Sequence, residues 1–276
     1  MKKPLVLFCT LCLVIVSFSG CKTATGELPP GAQPIWISDV LAGGAIMQAS
    51  LELISSLDPE IGENVVQSLI RDINDDPTLT LYWVPSGNNT VDQISYDTSA
   101  MNGSLVFSQY SLKRTSAAMK KAARAGQAGL AAEDVQNDES IELTDEEKAA
   151  LSQKAGEFDD DERAELKRCL IYLGAATAAL VNIPIRAPQM ITNISSIIQN
   201  PEILIVNPFA LPMMVIQLGS ILDNLNNMIK ETPKVIKNVA ANIEILKAIL
   251  AADKERTEQK KLEEQQQKDQ AEADAA

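Results

Sequence analysis

A mainly α-helical bundle is the fold this sequence predicts, with a small antiparallel β-meander inserted near residues 78–110 and a helical, partly disordered C-terminal tail. Three observations lead there. Apolar residues recur at steps of three and four through much of the chain, the period of a helix with one buried face. One stretch differs: "TLTLYWV", "TVDQISY" and "SLVFSQY" alternate or run apolar, separated by Ser-Gly-Asn-Asn and Met-Asn-Gly turn signals. After Ala252 the large apolar residues stop, and "DKERTEQKKLEEQQQKDQAEADAA" keeps only Leu262.

The elements follow in chain order. Residues 1–20 read as a signal segment: Lys2 and Lys3 form a positive start, and Leu5 to Val16 an uncharged apolar run. That run is too short to cross a hydrocarbon core of about 30 Å comfortably. Residues 21–34 carry Pro29, Pro30 and Pro34 and no apolar period, so they predict a tether. From Ile35 to Leu57 helical spacing returns through Val40, Leu41, Ala45, Met47, Leu51 and Ile54, weakened at Gly43-Gly44. Asp58-Pro59 restarts a helix whose stripe is Ile61, Val65, Val66, Leu69 and Ile73. The meander follows, and it holds most of the few aromatics: Tyr82, Trp83, Tyr96, Phe107 and Tyr110.

A basic helix completes the segment 35–131. Lys113, Arg114, Lys120, Lys121 and Arg124 gather there with no acid before Glu133, and they are the candidate contacts for anionic lipid. The competing expectation is a solvated helix balanced by the acidic residues that follow, including Asp159-Asp160-Asp161-Glu162. Its apolar face is mostly alanine, which buries little area against a bilayer.

Residues 132–143 read as an acidic linker. A helical domain spans 144–252 and opens on the capping box Thr144-x-x-Glu147. Between Cys169 and Ile229 only Arg186, Glu202 and Asp223 are charged. Pro184, Pro208 and Pro212 interrupt the apolar runs, and Met190, Ile191, Ile194, Ile197 and Ile198 oppose Asn193, Ser196 and Asn200. That stripe predicts a half-buried helix in a protein core. A transmembrane hairpin, resembling that of pore-forming colicins, is the alternative. Thr232-Pro233 predicts a last helix start, with a seam of Ile236, Val239, Ile243, Leu246 and Leu250. Residues 253–276 form the charged tail, which has no face to bury.

The order of charge, apolar run and Phe18-Ser19-Gly20-Cys21 resembles the lipobox of bacterial lipoproteins. The likeness covers about the first twenty residues and departs from the usual Leu at Phe18. It implies that Cys21 is acylated and that residues 1–20 are removed. Several acyl chains, at about 0.8 kcal/mol per buried CH₂, hold a protein firmly. Lys22 in place of Asp implies, by likeness to enterobacterial sorting, the outer membrane, on its periplasmic or surface face.

Composition narrows the function. The chain carries a net charge of −13 before Lys2 and Lys3 are lost, which disfavours nucleic acid as a partner. Of four cysteines only Cys169 remains once Cys9 and Cys12 leave and Cys21 is acylated, so no internal disulfide is expected. The sequence contains no histidine, the commonest general base and metal ligand. No phosphate loop, CxxC pair or EF-hand spacing stands in its place. The expectation is a non-enzymatic structural or protein-interaction lipoprotein of the cell envelope, with an envelope protein partner and neither cofactor nor metal. The alternative is a membrane-active or lipid-handling protein whose region 169–229 enters or binds lipid.

Overall fold

The computed structural model describes residues 31–35, 52, 71, 81–124, 141–204 and 211–275. In order come β1 (Gln33–Ile35), β2 (Leu81–Trp83), α1 (Asn89–Arg124), α2 (Asp145–Lys154), α3 (Asp160–Gln199), a 3-10 turn (Pro201–Leu204) and α4 (Leu211–Ala275). The chain is thus mainly α with a small antiparallel sheet. Of the helices expected over 35–57 and 58–73 only Ile35, which is in a strand, and Glu52 and Arg71, which are helical, are described; the rest of both and most of the linker 132–143 lie outside the described residues. Gln33 and Pro34, assigned to the tether, belong to a strand: β1 pairs with β2, Ile35 opposite Leu81.

The three-strand meander over 78–110 is corrected. Among its described residues Leu81–Trp83 are extended, 84–88 form an irregular connection, and α1 takes up 89–110. The Ser-Gly-Asn-Asn signal does mark a boundary, but it opens a helix. Asn88 Oδ1 accepts the amides of Thr90 (3.0 Å) and Val91 (3.2 Å), and Asp92 Oδ1 accepts the Ser86 amide at 2.5 Å. What hid the helix is the chemistry of its buried face. Gly103, Ser104, Ser108, Ser111, Thr115 and Ser116 are buried beside Met101, Leu105, Leu112 and Met119. Small polar residues give no hydrophobic period. Three of their hydroxyls bond within the helix, Ser104 donating to Ala100 O at 3.3 Å, Ser108 to Ser104 O at 2.7 Å and Ser111 to Phe107 O at 2.8 Å. Their small size lets α1 lie close on the Gly174–Ala179 stretch of α3, with Ser108 Oγ 3.4 Å from Ala176 O.

Two capping boxes set the next starts. Thr144 and Glu147 exchange side-chain bonds with each other's amides at α2, as the spacing predicts. Asp159 and Glu162 do the same at α3, so two members of the acidic run are a helix signal. Between them Gly156 (φ +88°) turns the chain through the left-handed region, where a side chain is costly.

α3 is the central helix. From Cys169 to Leu180 all residues but Thr177 are buried, with α1 on one side and α4 on another, both antiparallel to it. The run expected to end at Asn182 and Pro184 instead continues to Gln199. Pro184 and Pro188 lie on the exposed face, where each removes one helical bond at about 3 kcal/mol. Burying Ile183 and Ile194 on the other face returns about 1.5–3 kcal/mol each, which favours the continuous helix. The half-buried stripe at 190–198 is present as expected: Ile194 is buried, and Asn193, Ser196 and Asn200 are exposed.

α4 is one helix where a start at Thr232-Pro233 was expected. Pro233 is exposed, and the Thr232 hydroxyl donates to Met228 O at 2.6 Å. Its buried seam runs Met214, Leu218, Ile221, Leu225, Met228, Thr232, Val235, Val239, Asn242, Leu246, Ile249 and Asp253, with Ile243 buried beside it as expected. The steps of the seam alternate four and three without a break, the period of a helix packed lengthwise on partners. The expected seam was partly out of phase: Ile236 is exposed and Leu250 half-buried. Buried Thr232 and Asn242 occupy seam positions that an apolar pattern skips.

Candidate functional site

Cys21 lies outside the described residues. The five basic candidates do not form one surface. Lys113 and Lys121 are exposed. Lys120 is 2 % exposed and engaged within the fold. Arg124 pairs with Glu147 of α2 at 2.8 Å, and Arg114 pairs with Glu165 of α3 at 3.2 Å. Arg114 also donates to the Tyr172 hydroxyl at 3.3 Å and stands 4.6 Å over the Tyr172 ring, a favourable cation–π placement. Burial alone would lower its pKa, but the Tyr110 hydrogen bond and the Tyr172 and Glu165 charges outweigh it, and the net shift is upward. These side chains join α1 to α2 and α3.

The aromatics disperse likewise into packing roles. Trp83 meets Tyr96 edge-on at 5.9 Å and seats the small sheet on α1. Phe107 and Tyr110 flank Tyr172 at 6.2 Å each. Cys169 is fully buried; burial, then the Glu165 charge, pushes its thiol up to about 12.

Two features of the surface were not legible beforehand. The first is a cleft of about 660 Å³ between the first turns of α1 and the last turns of α3. Ile94, Met190 and Ile197 supply apolar wall, while Gln93, Asn193 and Ser196 supply amides and a hydroxyl. Gln93 Nε2 donates to Asp97 Oδ1 at 3.1 Å along its rim. Such groups orient a bound molecule by hydrogen bonding and apolar contact, a recognition chemistry. The 190–198 stripe was its only sequence signal.

The second is an ionic latch at the opposite end. Asp253 is buried; its Oδ2 accepts from Arg163 Nε at 2.6 Å and its Oδ1 from the Gly156 amide at 2.8 Å. The hydrogen bond to Asp253 holds the Arg163 guanidinium above its ordinary pKa. One turn on, Arg256 Nη1 donates to the carbonyls of Ser152 (2.8 Å), Gln153 (3.1 Å) and Ala155 (3.0 Å), capping the C-terminus of α2. Lys260 reaches Gly156 O at 2.9 Å. The tail therefore packs on the body through buried Asp253 and makes hydrogen bonds to it as far as Lys260, contrary to expectation, while 261–272 are exposed. The signal was present: after Leu246 and Ile249 the same three-four spacing continues in charged residues at 253, 256 and 260.

Among the described residues no three His, Cys, Asp or Glu side chains gather as metal ligands. No family model, curated protein or solved structure matches the chain.

Proposed function

We propose that the chain is a lipoprotein of the bacterial cell envelope, anchored through acylated Cys21, that serves a non-enzymatic structural or protein-interaction role. The observation that carries this reading is the order Lys2-Lys3, apolar run, Ser19-Gly20-Cys21 at the N-terminus. The missing histidine and the recognition chemistry of the α1–α3 cleft support the non-enzymatic part. Lys22 supports the outer membrane, on its periplasmic or surface face. The partner is an envelope protein, met by the exposed helical surface beyond Lys260.

A membrane-inserting role asks more of the molecule. α3 is the one described helix long and apolar enough to cross a bilayer, and 67 % of its most apolar window is buried within the bundle. Insertion would have to break that packing. Metabolic labelling with a radioactive fatty acid tests the anchor: the wild type incorporates label and Cys21→Ser does not. Equal labelling of both overturns the reading. Copurification from membranes with the lipidated full chain, lost on removal of residues 262–276, tests the interaction role.

A further inference from the structure

The molecule has two unlike ends. At one, β1 and β2 rest on the start of α1 through Trp83 and Tyr96. Asn88 Nδ2 donates to Leu204 O at 2.9 Å, and the 3-10 turn that holds Leu204 also contacts α3 and α4. This end carries Asp92, Asp97 and Glu202 but is otherwise poor in charge. No charged residue occurs from Ala187 to Pro201, nor on α4 before Asp223. Here the outer face of the first turns of α4 presents Pro212, Met213 (45 % exposed) and Ile216 (45 % exposed), three apolar residues at helical spacing. At the other end stand the latch, the acidic starts of α2 and α3, and the charged last turns of α4.

The covalent chain says which end faces the anchor. Residues 22–32 join Cys21 to β1, and at ~3.3–3.6 Å per residue they cannot carry the sheet more than about 40 Å from an acylated cysteine. We propose that the sheet end of the bundle rests on the bilayer that holds Cys21, with Pro212, Met213 and Ile216 entering the lipid interface. This rests on the anchoring proposed above. Three apolar side chains would hold a free protein poorly. A tethered one returns to the surface at high effective concentration, so a weak contact sets its orientation. The charged end then points away from the membrane, and the exposed last turns of α4 are held out toward a partner.

The test uses the lipidated full chain with one introduced cysteine, Ile216→Cys or Lys260→Cys, carrying an environment-sensitive fluorophore. Both positions are exposed, while the Cys169 thiol is buried and pushed up to about 12, so the introduced thiol is the one that reacts. The protein is reconstituted into phosphatidylcholine vesicles containing a lipid quencher placed just below the headgroups. The label at 216 is expected to shift to the blue and lose most of its emission to the quencher, and the label at 260 to do neither. A floating protein whose 216 label behaves as in buffer overturns the orientation and leaves the anchor standing. Quenching at 260 in place of 216 overturns it too. Equal flotation of Cys21→Ser shows that the anchor itself fails, and the orientation falls with it. A blue shift at 216 that grows with concentration in unlipidated Cys21→Ser, without vesicles, assigns the face to a second copy and overturns the proposal.

Discussion

The carboxylate of Asp253 meets the guanidinium of Arg163 at 2.6 Å, joining the late part of α4 to the first turn of α3. Asp253 is the last member of the buried three-four seam. A position filled upstream by Leu246 and Ile249 is filled here by a charge, because what it meets is polar: a guanidinium and the free amide of a tight turn. The apolar pattern ends at Ala252, and the packing does not.

The latch makes the tail separable into two parts. Truncation after Ala252 removes Asp253, Arg256 and Lys260, and the melting temperature should fall by roughly 5–10 °C. Truncation after Lys261 should leave the melt nearly unchanged. Asp253→Ala alone should cost about 2–3 kcal/mol, less than a fully buried pair because Arg163 keeps 28 % of its side chain exposed. Equal melts for both truncations would show that the latch contributes nothing.

Gly156 should resist substitution. A Cβ there would lie 2.6 Å from Arg256 Cβ, and the positive φ is costly for any L side chain by about 1–2 kcal/mol. Gly156→Ala should lower stability in the full chain. It should do less harm in a chain ending at Ala252, where Arg256 is absent. Chemical denaturation of the four combinations measures that coupling.

The close approach of α1 to α3 depends on small side chains. Ser108→Leu should destabilise by about 1–3 kcal/mol through overpacking against Ala176. Leucine at exposed Ala117 should be tolerated. Urea unfolding of both variants is the measurement, and equal midpoints would refute the packing argument.

Charge in the core distinguishes its buried face from its wet one. Ile194 and Leu225 are both fully buried, whereas Leu222, one residue from Ile221, is half-buried. Ile194→Asp and Leu225→Asp should unfold the bundle, since each puts an unpaired charge in an apolar interior. Asn193→Asp should leave the circular dichroism melt unchanged. Folded Asp variants would mean that these positions do not lie in a protein core.

Cys169 gives a pH signature. Its folded pKa, about 12, lies above the ordinary 9.0, so the neutral thiol is the form the fold favours. The associated stability is fully present below pH 9 and is lost as pH rises toward 12. Cys169→Ala should therefore lose stability less steeply than the wild type across that window. Iodoacetamide at pH 8 should label the thiol only after unfolding.

How much of this was legible depends on the range of the forces involved. Capping and periodic burial are local, so the sequence by itself determined the start of α2 at Thr144 and Glu147 and the wet and dry faces of 190–198. The helical class followed from the same periods. Other features depend on residues far apart in the chain, and the tertiary structure alone decided them. Residues 89–110 carry Val, Ile, Phe and Tyr at spacings that fit strands, yet they are helical because Ser108 and its neighbours fit against Ala176. Pro184, Pro188 and Pro233 sit inside helices because each found the solvent face while its neighbours were buried. Asp253 and Arg256 are structural because Gly156 leaves an amide and α2 leaves its last carbonyls where α4 passes. A local pattern records which face of a helix is apolar. It does not record whether that face will meet a methyl group, a hydroxyl or a charge, and that meeting set the lengths of α3 and α4.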